Sequence, residues 1–571
     1  MNLRDRVVVA ALSLLLVVFA VATGLPGPVS GPIGASPSAD PLPGPAVYRE
    51  GIVGRVASVT PLTARSRAEL ALVGLVFSGL VRPGPGNTLQ ADLAAWWSVD
   101  ETGLVWSIRI RDDARWHDGV PVTAADVVFT VRALRSTTVQ GPGAASWAEV
   151  TAAATGPRTV TLTLDTPIGG FLSALTQPLL PAHLLADVPL ADLATHPFAT
   201  APVGTGAFAL VELDEEHAVL EPAALVEPPP PDDASAPPSD SLATPAPAAT
   251  PGRALPYLDG IEIRFFDDPA ALADALESGD LDGAAGLPAR VAMPLAGDQT
   301  RLVRYPTTTL SAVFLNLRPT HPELRVAAVR RALLAAVDRD ALITEALGGG
   351  ALRADAMVPP ASWAFDAKAA APVPFDAAAA AAALTAAGWT KADDVLVAPG
   401  TTTAYTLDLL VVPADVNSST HALATGVADA WRALGFAVTV TEVPAGDLAG
   451  RLREGTFTAA MVDVAFGLEP DLYPLLASSQ VRLPGTNVAG YQDPALDALL
   501  VAARRPGTTE ERMAAWRTLL AGLAAREPIL PLVWRDEIVL QRGVSGPLPR
   551  LLADPGDRFW DVLAWRLAAD R

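Results

Sequence analysis

The sequence predicts an α/β fold divided into more than one domain, and three observations carry that prediction. The chain has 571 residues, beyond the size at which a single hydrophobic core stops growing. Stretches such as "WSIRIR" (106–111) and "ATGPRTVTLTLDTP" (154–167) alternate polar and apolar residues, the period of half-buried strands. Between such stretches lie segments with helical spacing. "HALATGVADAWRALGFAVTVTEV" reads as a helix, a glycine stop and a strand over 436–443, half of a β–α–β unit. Strands alternating with helices imply at least partly parallel sheets, whose ligands sit at loop ends and domain interfaces.

Two more elements can be read in order along the chain. In "RDDARWHDGVPVTAADVVFTV" (111–131) the strand runs into "HDG", a tight turn. "TAAD" (123–126) then has the form of a capping box, and Val127, Val128, Val131 and Leu134 follow at helical spacing. His117 has no second ligand at i+4, and the other five histidines (183, 196, 217, 321 and 421) are scattered, so no metal site is expected. Over 325–347, Val326, Val329, Leu333, Val337 and Leu342 lie near one helical face, with Gly348 to Gly350 as the stop.

Composition narrows the function. Half of the residues are hydrophobic, so a large core can be buried, and the net charge is −21 from 41 basic and 62 acidic side chains. That balance argues against nucleic acid and anionic lipid, which need a basic face. There is no cysteine, hence no disulfide, thiolate nucleophile, cysteine zinc site or thiol for lipidation. No G-x-S-x-G or H-E-x-x-H motif is present, which leaves a hydrolase without support.

At the N-terminus, Arg4 and Arg6 precede the uncharged "VVVAALSLLLVVFAVA" (7–22). Residues 1–24 are therefore expected to be an export signal or an N-terminal membrane anchor, with the rest of the chain outside the cytoplasm. Residues 25–46, rich in Pro and Gly, are expected to form a tether, and the Pro-rich segment 227–251 an exposed insertion.

"LVWSIRIRDDARWHDGVPVTAADVVFTVRAL" closely resembles the signature of the family 5 extracellular solute-binding proteins, the substrate-binding subunits of ABC importers for oligopeptides, dipeptides and nickel. The resemblance continues in order through "LQADLAAWWSVDE", "PVGTGAFAL", "LPYLDGIEIRFFDDPAALADALESGDLDGA", "FLNLRPTHPELRVAAVRRALLAAVDRDALITEALGGGA" and "GYQDPALDALLVAARR". It implies a two-lobed periplasmic-binding-protein-like fold of the type II, cluster C kind, with an extra small domain and a hinge. The first lobe would comprise 47–269 and 531–571, with the small domain inserted at about 73–192. The second lobe would comprise 270–530.

The resemblance also implies a ligand held between the lobes, closure about the hinge, and delivery to ABC permease subunits by a monomer without cofactor or covalent chemistry. In the first lobe, Arg65, Ser66 and Arg67 occupy the family's cleft loop and are candidates for an anionic group, with helix-start charges as the alternative. In the second lobe, "TFTAAMVDVAFGLEPD" (456–471) aligns with the segment in which peptide-binding members place an Asp on the ligand's free amine. Here Phe466 falls about where that Asp would be, and Asp463 is the candidate substitute. Glu469 and Asp471 are expected to cap the following helix. Trp363 and Tyr491 are candidate cleft aromatics, and Asn316 a candidate for the cleft wall. The expected function is capture of a peptide-like or other mid-sized polar solute. The alternative is a membrane-anchored sensor or scaffold that keeps the fold without import.

Overall fold

The structure is a computed structural model and describes residues 46–568, apart from 86–87, 137–146, 194, 224–255 and 483–484. The signal or anchor, the Pro-rich insertion and all of the tether but Ala46 lie outside the described residues. Ala46 is already part of the folded body: it is buried, and its N–H donates to Asp259 Oδ2 at 2.8 Å.

Eleven strands form one sheet: β1 (Val47–Val53), β2 (Phe208–Leu213), β3 (His217–Pro222), β4 (Gly260–Phe266), β5 (Gly283–Ala285), β6 (Thr300–Leu315), β7 (Ala351–Arg353), β8 (Thr406–Val411), β9 (Ala437–Glu442), β10 (Ala459–Ala465) and β11 (Leu530–Arg542). Their order is β9-β8-β10-β6-β11-β5-β1-β4-β3-β2, with β7 also on β11. β1 runs parallel to β4 and β5, and β8 parallel to β9 and β10, while the pairings around β6 and β11 are antiparallel. β5, β1, β4, β3 and β2 thus lie on one side of β6 and β11, here called the first lobe, and β10, β8 and β9 on the other, the second; β5 and the start of β6 fall on the first-lobe side, although the expected second lobe begins at 270.

Those two strands pair from Thr300 opposite Arg542 to Val313 opposite Leu530, but the register breaks between Pro306 and Leu310. At the break the backbone of β6 finds another partner. Thr308 N–H donates to Leu552 O at 2.9 Å, and Leu552 N–H donates to Pro306 O at 2.9 Å. Before the break β6 contributes Val303 and Tyr305 to the first lobe's core. After it, Val313 and Leu315 enter one core of the second lobe, and Leu310, Ala312 and Phe314 enter another.

Within the stretch expected as an inserted domain lies a separate antiparallel sheet, built from Ala94–Val99, Val105–Ile110, Thr159–Leu164 and Val150–Ala154, whose buried face shares a core with β1 and β4. The helix Ala124–Leu134 starts at Thr123 as the sequence predicts, and Asp126 Oδ2 accepts the Thr123 N–H at 2.7 Å. His117 ties the turn before this helix to the segment that leads into β2. Its Nδ1 accepts the Gly204 N–H at 3.3 Å, and its own N–H donates to Gly204 O at 2.8 Å.

The helix Ser418–Leu434 ends at Gly435 with φ +114°, and β9 follows, as expected. The single helix read over 325–347 is instead two, Ala327–Ala335 and Arg339–Glu345. Asp338 starts the second by accepting the Ala341 N–H at 3.0 Å, a capping preference that competes with helix continuation.

One ion pair joins the C-terminal segment to the first strand. On β1, Tyr48, Glu50 and Ile52 share a face, and all three are fully buried. Both carboxylate oxygens of Glu50 bind the fully buried Arg558, with Nη1 2.9 Å from Oε2. Tyr48 Oη donates to Glu50 Oε2 at 2.7 Å. Removing one member of a buried pair strands the other charge away from water. Arg558→Met should therefore cost about 3–5 kcal/mol in urea unfolding, whereas Glu50→Met with Arg558→Met should recover at least half of that loss, because the stranded charge is gone. A double variant as unstable as the single would mean that the pair itself is the stabilising element.

Candidate functional site

The loop after β1, residues 54–66, leads into the helix Arg67–Val76. Ser66 is the N-cap, and its Oγ accepts the Glu69 N–H at 3.2 Å. Glu69 is almost fully buried and its carboxylate is shared among four backbone donors: Ala57 (3.1 Å) and Ser58 (3.2 Å) on Oε1, Arg65 (2.8 Å) and Ser66 (2.9 Å) on Oε2. Burial pushes this carboxyl up, but the four N–H groups outweigh it and hold it below the ordinary value. One side chain thus fixes the path of the loop. Ser66 is committed to the cap, while the Arg65 side chain is exposed.

Arg67 turns back to the crossing strand β11. Its Nε and Nη2 meet Glu537 Oε1 and Oε2 at 2.8 and 3.1 Å, a bidentate pair. Two residues earlier, Arg535 projects from the same side of β11, because strand side chains alternate. The i to i+2 step is roughly 7 Å.

Arg535 meets the second lobe. Its Nε donates to Ser311 Oγ at 2.8 Å and its Nη2 to Thr420 Oγ1 at 3.0 Å, and Asp463 Oδ2 lies 3.7 Å from Nη2. Asp463 in turn accepts from Ser311 Oγ (2.5 Å), Thr420 Oγ1 (2.6 Å) and Asn417 Nδ2 (3.2 Å). Burial lowers the pKa of Arg535, and the Asp463 charge opposes that shift.

Beyond Asp463, β10 ends and the backbone bends toward the hinge. Phe466 N–H donates to Thr308 O at 3.2 Å, and Thr308 Oγ1 donates back to Phe466 O. The Phe466 ring sits 6.1 Å from that of Trp534. Further on, Glu469 accepts from Arg512 Nη2 (2.6 Å) and Trp363 Nε1 (3.2 Å), and Arg512 lies 4.3 Å above the Trp363 ring. Asp471 pairs with Arg504 at 3.0 Å and accepts the Tyr473 N–H at 3.0 Å.

The structure therefore brings Arg67, Asp463, Phe466 and Trp363 to the junction of the lobes and its rim. It places Asn316 and Tyr491 elsewhere. Asn316 is fully buried, its Nδ2 donates to Gly455 O and Phe457 O at 2.9 Å each, and its Oδ1 accepts the Arg318 N–H at 3.2 Å. It lies five residues beyond Ser311 on β6, roughly 16 Å away. Tyr491 donates to Asp493 at 3.3 Å and has Arg330 5.6 Å from its ring centre. Glu469 binds Arg512 and Trp363, and of the two acids expected to cap a helix only Asp471 bonds a backbone amide there.

Glu69, Ser311, Asn417, Thr420, Arg535 and Glu537 were not among the candidates. The signal for two of them was present: "WRDE" puts three consecutive charges inside the otherwise apolar strand "ILPLVWRDEIVL". Among the described residues one group has metal-ligand atoms together, Glu212, Asp214 and His217. It lies on the exposed β2–β3 hairpin at the far edge of the sheet.

Residues 88–480 match the family model described as bacterial extracellular solute-binding proteins, family 5 middle. The chain belongs to this family. Among curated family relatives, the oligopeptide-binding protein AppA of Bacillus subtilis (strain 168) is 23% identical over 487 residues, covering 84% of each chain. Protein XP55 of Streptomyces lividans is 28% identical over 456 residues, covering 79% of this chain and 77% of the other. In fold, the chain is similar to NikZ from Campylobacter jejuni in complex with Ni(L-His), at a TM-score of 0.71 and 23% identity over 92% of this chain and 100% of that one. It is likewise similar to Bacillus subtilis AppA in complex with a nonapeptide, at 0.70 and 21% with the same coverage. The family fold is thus the two-lobed binding-protein fold.

Glu69 offers a direct check on the first-lobe loop. Glu69→Gln keeps the volume but removes the charge that four amides share, and should lose about 2–3 kcal/mol at neutral pH. Because the folded pKa is depressed, the wild-type advantage is complete above the ordinary value of 4.5 and shrinks as pH falls through the lower folded value. Denaturant melts of both proteins from pH 7 to pH 3 read this out; a difference independent of pH would refute the charge argument.

Proposed function

We propose that the chain is an extracytoplasmic solute-binding subunit that captures a peptide-like or other mid-sized polar solute between its lobes. It then delivers the solute to the permease of an ABC importer. Membership of a family of extracellular solute-binding proteins carries the reading. The protein acts as a monomer and does no covalent chemistry. Residues 1–24 export it or hold it at the membrane, and the lobes close about the break in β6 and β11.

The relatives suggest the solute class: an oligopeptide for AppA, a D,D-dipeptide for a probable binding protein of Escherichia coli (strain K12). Charge at the second lobe refines it. Each acid of the segment 456–471 already faces an arginine: Asp463 with Arg535, Glu469 with Arg512, Asp471 with Arg504. Phe466 stands between the first two. That wall supports binding through backbone-type hydrogen bonds and apolar contact, without a carboxylate reserved for a free α-amine. Arg65, exposed on the first-lobe loop, is the candidate for an anionic end of the solute.

Native mass spectrometry of the exported chain, purified from its own host, tests the reading. The expected result is a retained peptide-sized mass that leaves on denaturation. A clean unliganded mass, with no thermal shift across peptide, sugar and metal panels, would sink it and favour the anchored sensor. For a retained peptide, acetylating its amine should change affinity less than about threefold. A reserved carboxylate would instead cost about thirtyfold or more, from the ~2 kcal/mol or more lost when one partner of a buried charge pair is removed.

A further inference from the structure

The lobes also touch far from the crossing strands, and the contact has the form of a latch. On the first-lobe side it is the turn at Gly169 and Gly170, between the strand Thr159–Leu164 and the short helix Phe171–Thr176 of the inserted domain. The turn is held rigidly from behind. Phe171 packs edge-on against Trp106 at 5.3 Å and Trp147 at 5.6 Å.

On the second-lobe side is a platform of two arginines, two acids and two aromatic rings. Glu469 binds Arg512 and Trp363, and Trp363 stands edge-on to the buried Trp516 at 6.4 Å. Arg504 pairs with Asp471 and lies 4.6 Å from the centre of the Tyr473 ring. The platform is neutral, with each charge matched within its own lobe.

Turn and platform meet backbone to backbone. Gly169 N–H donates to Arg504 O at 2.8 Å. A Cβ on Gly169 would lie 2.7 Å from Arg505 O, and one on Gly170 2.7 Å from Glu469 Cβ. Only glycine allows this approach. A second touch lies beside it: a Cβ on Gly103, in the turn before the strand Val105–Ile110, would lie 2.7 Å from Pro506 Cγ.

The contact is also easily undone. Nε of Arg504 and Nε of Arg512 are buried there without a hydrogen-bond partner. A Cβ on Gly169 would lie 3.2 Å from Arg512 Nε, so opening returns water to that group and its desolvation opposes docking.

We propose that the turn at Gly169 and Gly170 and the platform of Glu469, Asp471, Arg504 and Arg512 form a reversible latch that holds the two lobes closed. The latch adds to the closed state whether or not a solute is present. It therefore scales the affinity for every solute by the same factor, since apparent affinity follows the fraction of the competent state. This rests on the two-lobed architecture and not on which solute is bound.

The chain lacks cysteine, so two introduced thiols can be labelled without background. Ala153→Cys on the inserted domain and Ala514→Cys on the helix Thr509–Arg526 are both exposed. Spin labels at these sites report the distance between the inserted domain and the second lobe by pulsed electron resonance. The full chain is first stripped of solute in mild denaturant and refolded. The expected result is a short-distance population that falls about fivefold or more in Gly170→Val, with the circular dichroism spectrum unchanged, as a loss of closed-state stabilisation requires.

If Gly170→Val does not fold, Arg512→Ala, which removes one side of the platform, takes its place with the same expectation. An unchanged distance distribution in the variant, or no short population in the parent, overturns the latch. Because no solute enters the measurement, the proposed function can fail while the latch stands, and the reverse.

Discussion

Two strands belong to both lobes, and the rest of the architecture follows from that constraint. β6 and β11 must satisfy the alternation of a buried strand on each side of the junction. They feed the first lobe's cores through Val303, Tyr305, Ile538 and Val539, and the second lobe's through Ala312, Val313, Leu532 and Trp534. A continuous ladder would make the lobes one rigid slab. The ladder instead breaks at Pro306, which has no N–H to give, and the following threonines turn to Leu552, Arg535 O and Phe466. The break leaves no orphaned backbone at Thr308, so it is a built discontinuity of the kind that bulges provide.

The same constraint places the charges. Three consecutive residues of β11 beside the break, Arg535, Asp536 and Glu537, face three different partners: Asp463 of the second lobe, Arg304 of β6 and Arg67 of the first-lobe helix. Charges at a junction that is partly desolvated need matched partners, or they would lower the stability of both lobes. The outcome is a seam whose formal charges are already compensated before any solute arrives. Arginine suits this use, since its planar fork binds a carboxylate at two points and stacks on rings. Both modes occur, at Arg67 on Glu537 and at Arg512 over Trp363.

Much of the fold was legible. The strand–turn–helix of 106–134 and the helix–Gly435–strand unit rest on local chemistry, which the sequence displays directly. What was not legible was the outcome of competing local preferences and of contacts distant in sequence. The apparent helix 325–347 fails at Asp338, because a capping side chain competes locally with a periodic apolar pattern that continues through it. The candidate site divides in the same way. Ser66 looked like a ligand group and is a helix cap, a role its neighbour Glu69 at the third position already indicated. Asn316 looked like a cleft wall residue, and its amide instead clamps the carbonyls of Gly455 and Phe457, 139 and 141 residues away. No pattern of spacing encodes that.

Asp463 shows why this matters for function. From the aligned segment alone it is the one acid near the place of the family's amine-binding Asp. The structure surrounds its two oxygens with Ser311, Thr420 and Asn417, and sets Arg535 beside them. A carboxylate with three donors and a cation in place has little left to offer a ligand ammonium, which would have to displace them and leave Arg535 buried and uncompensated. The acid's position is similar, but its work is internal: it fastens the start of the helix Ser418–Leu434 to the crossing strand. Phe466, three residues on, is fastened in the same way, its N–H and carbonyl both bonded to Thr308, so the strand end that carries both residues is fixed from within the protein.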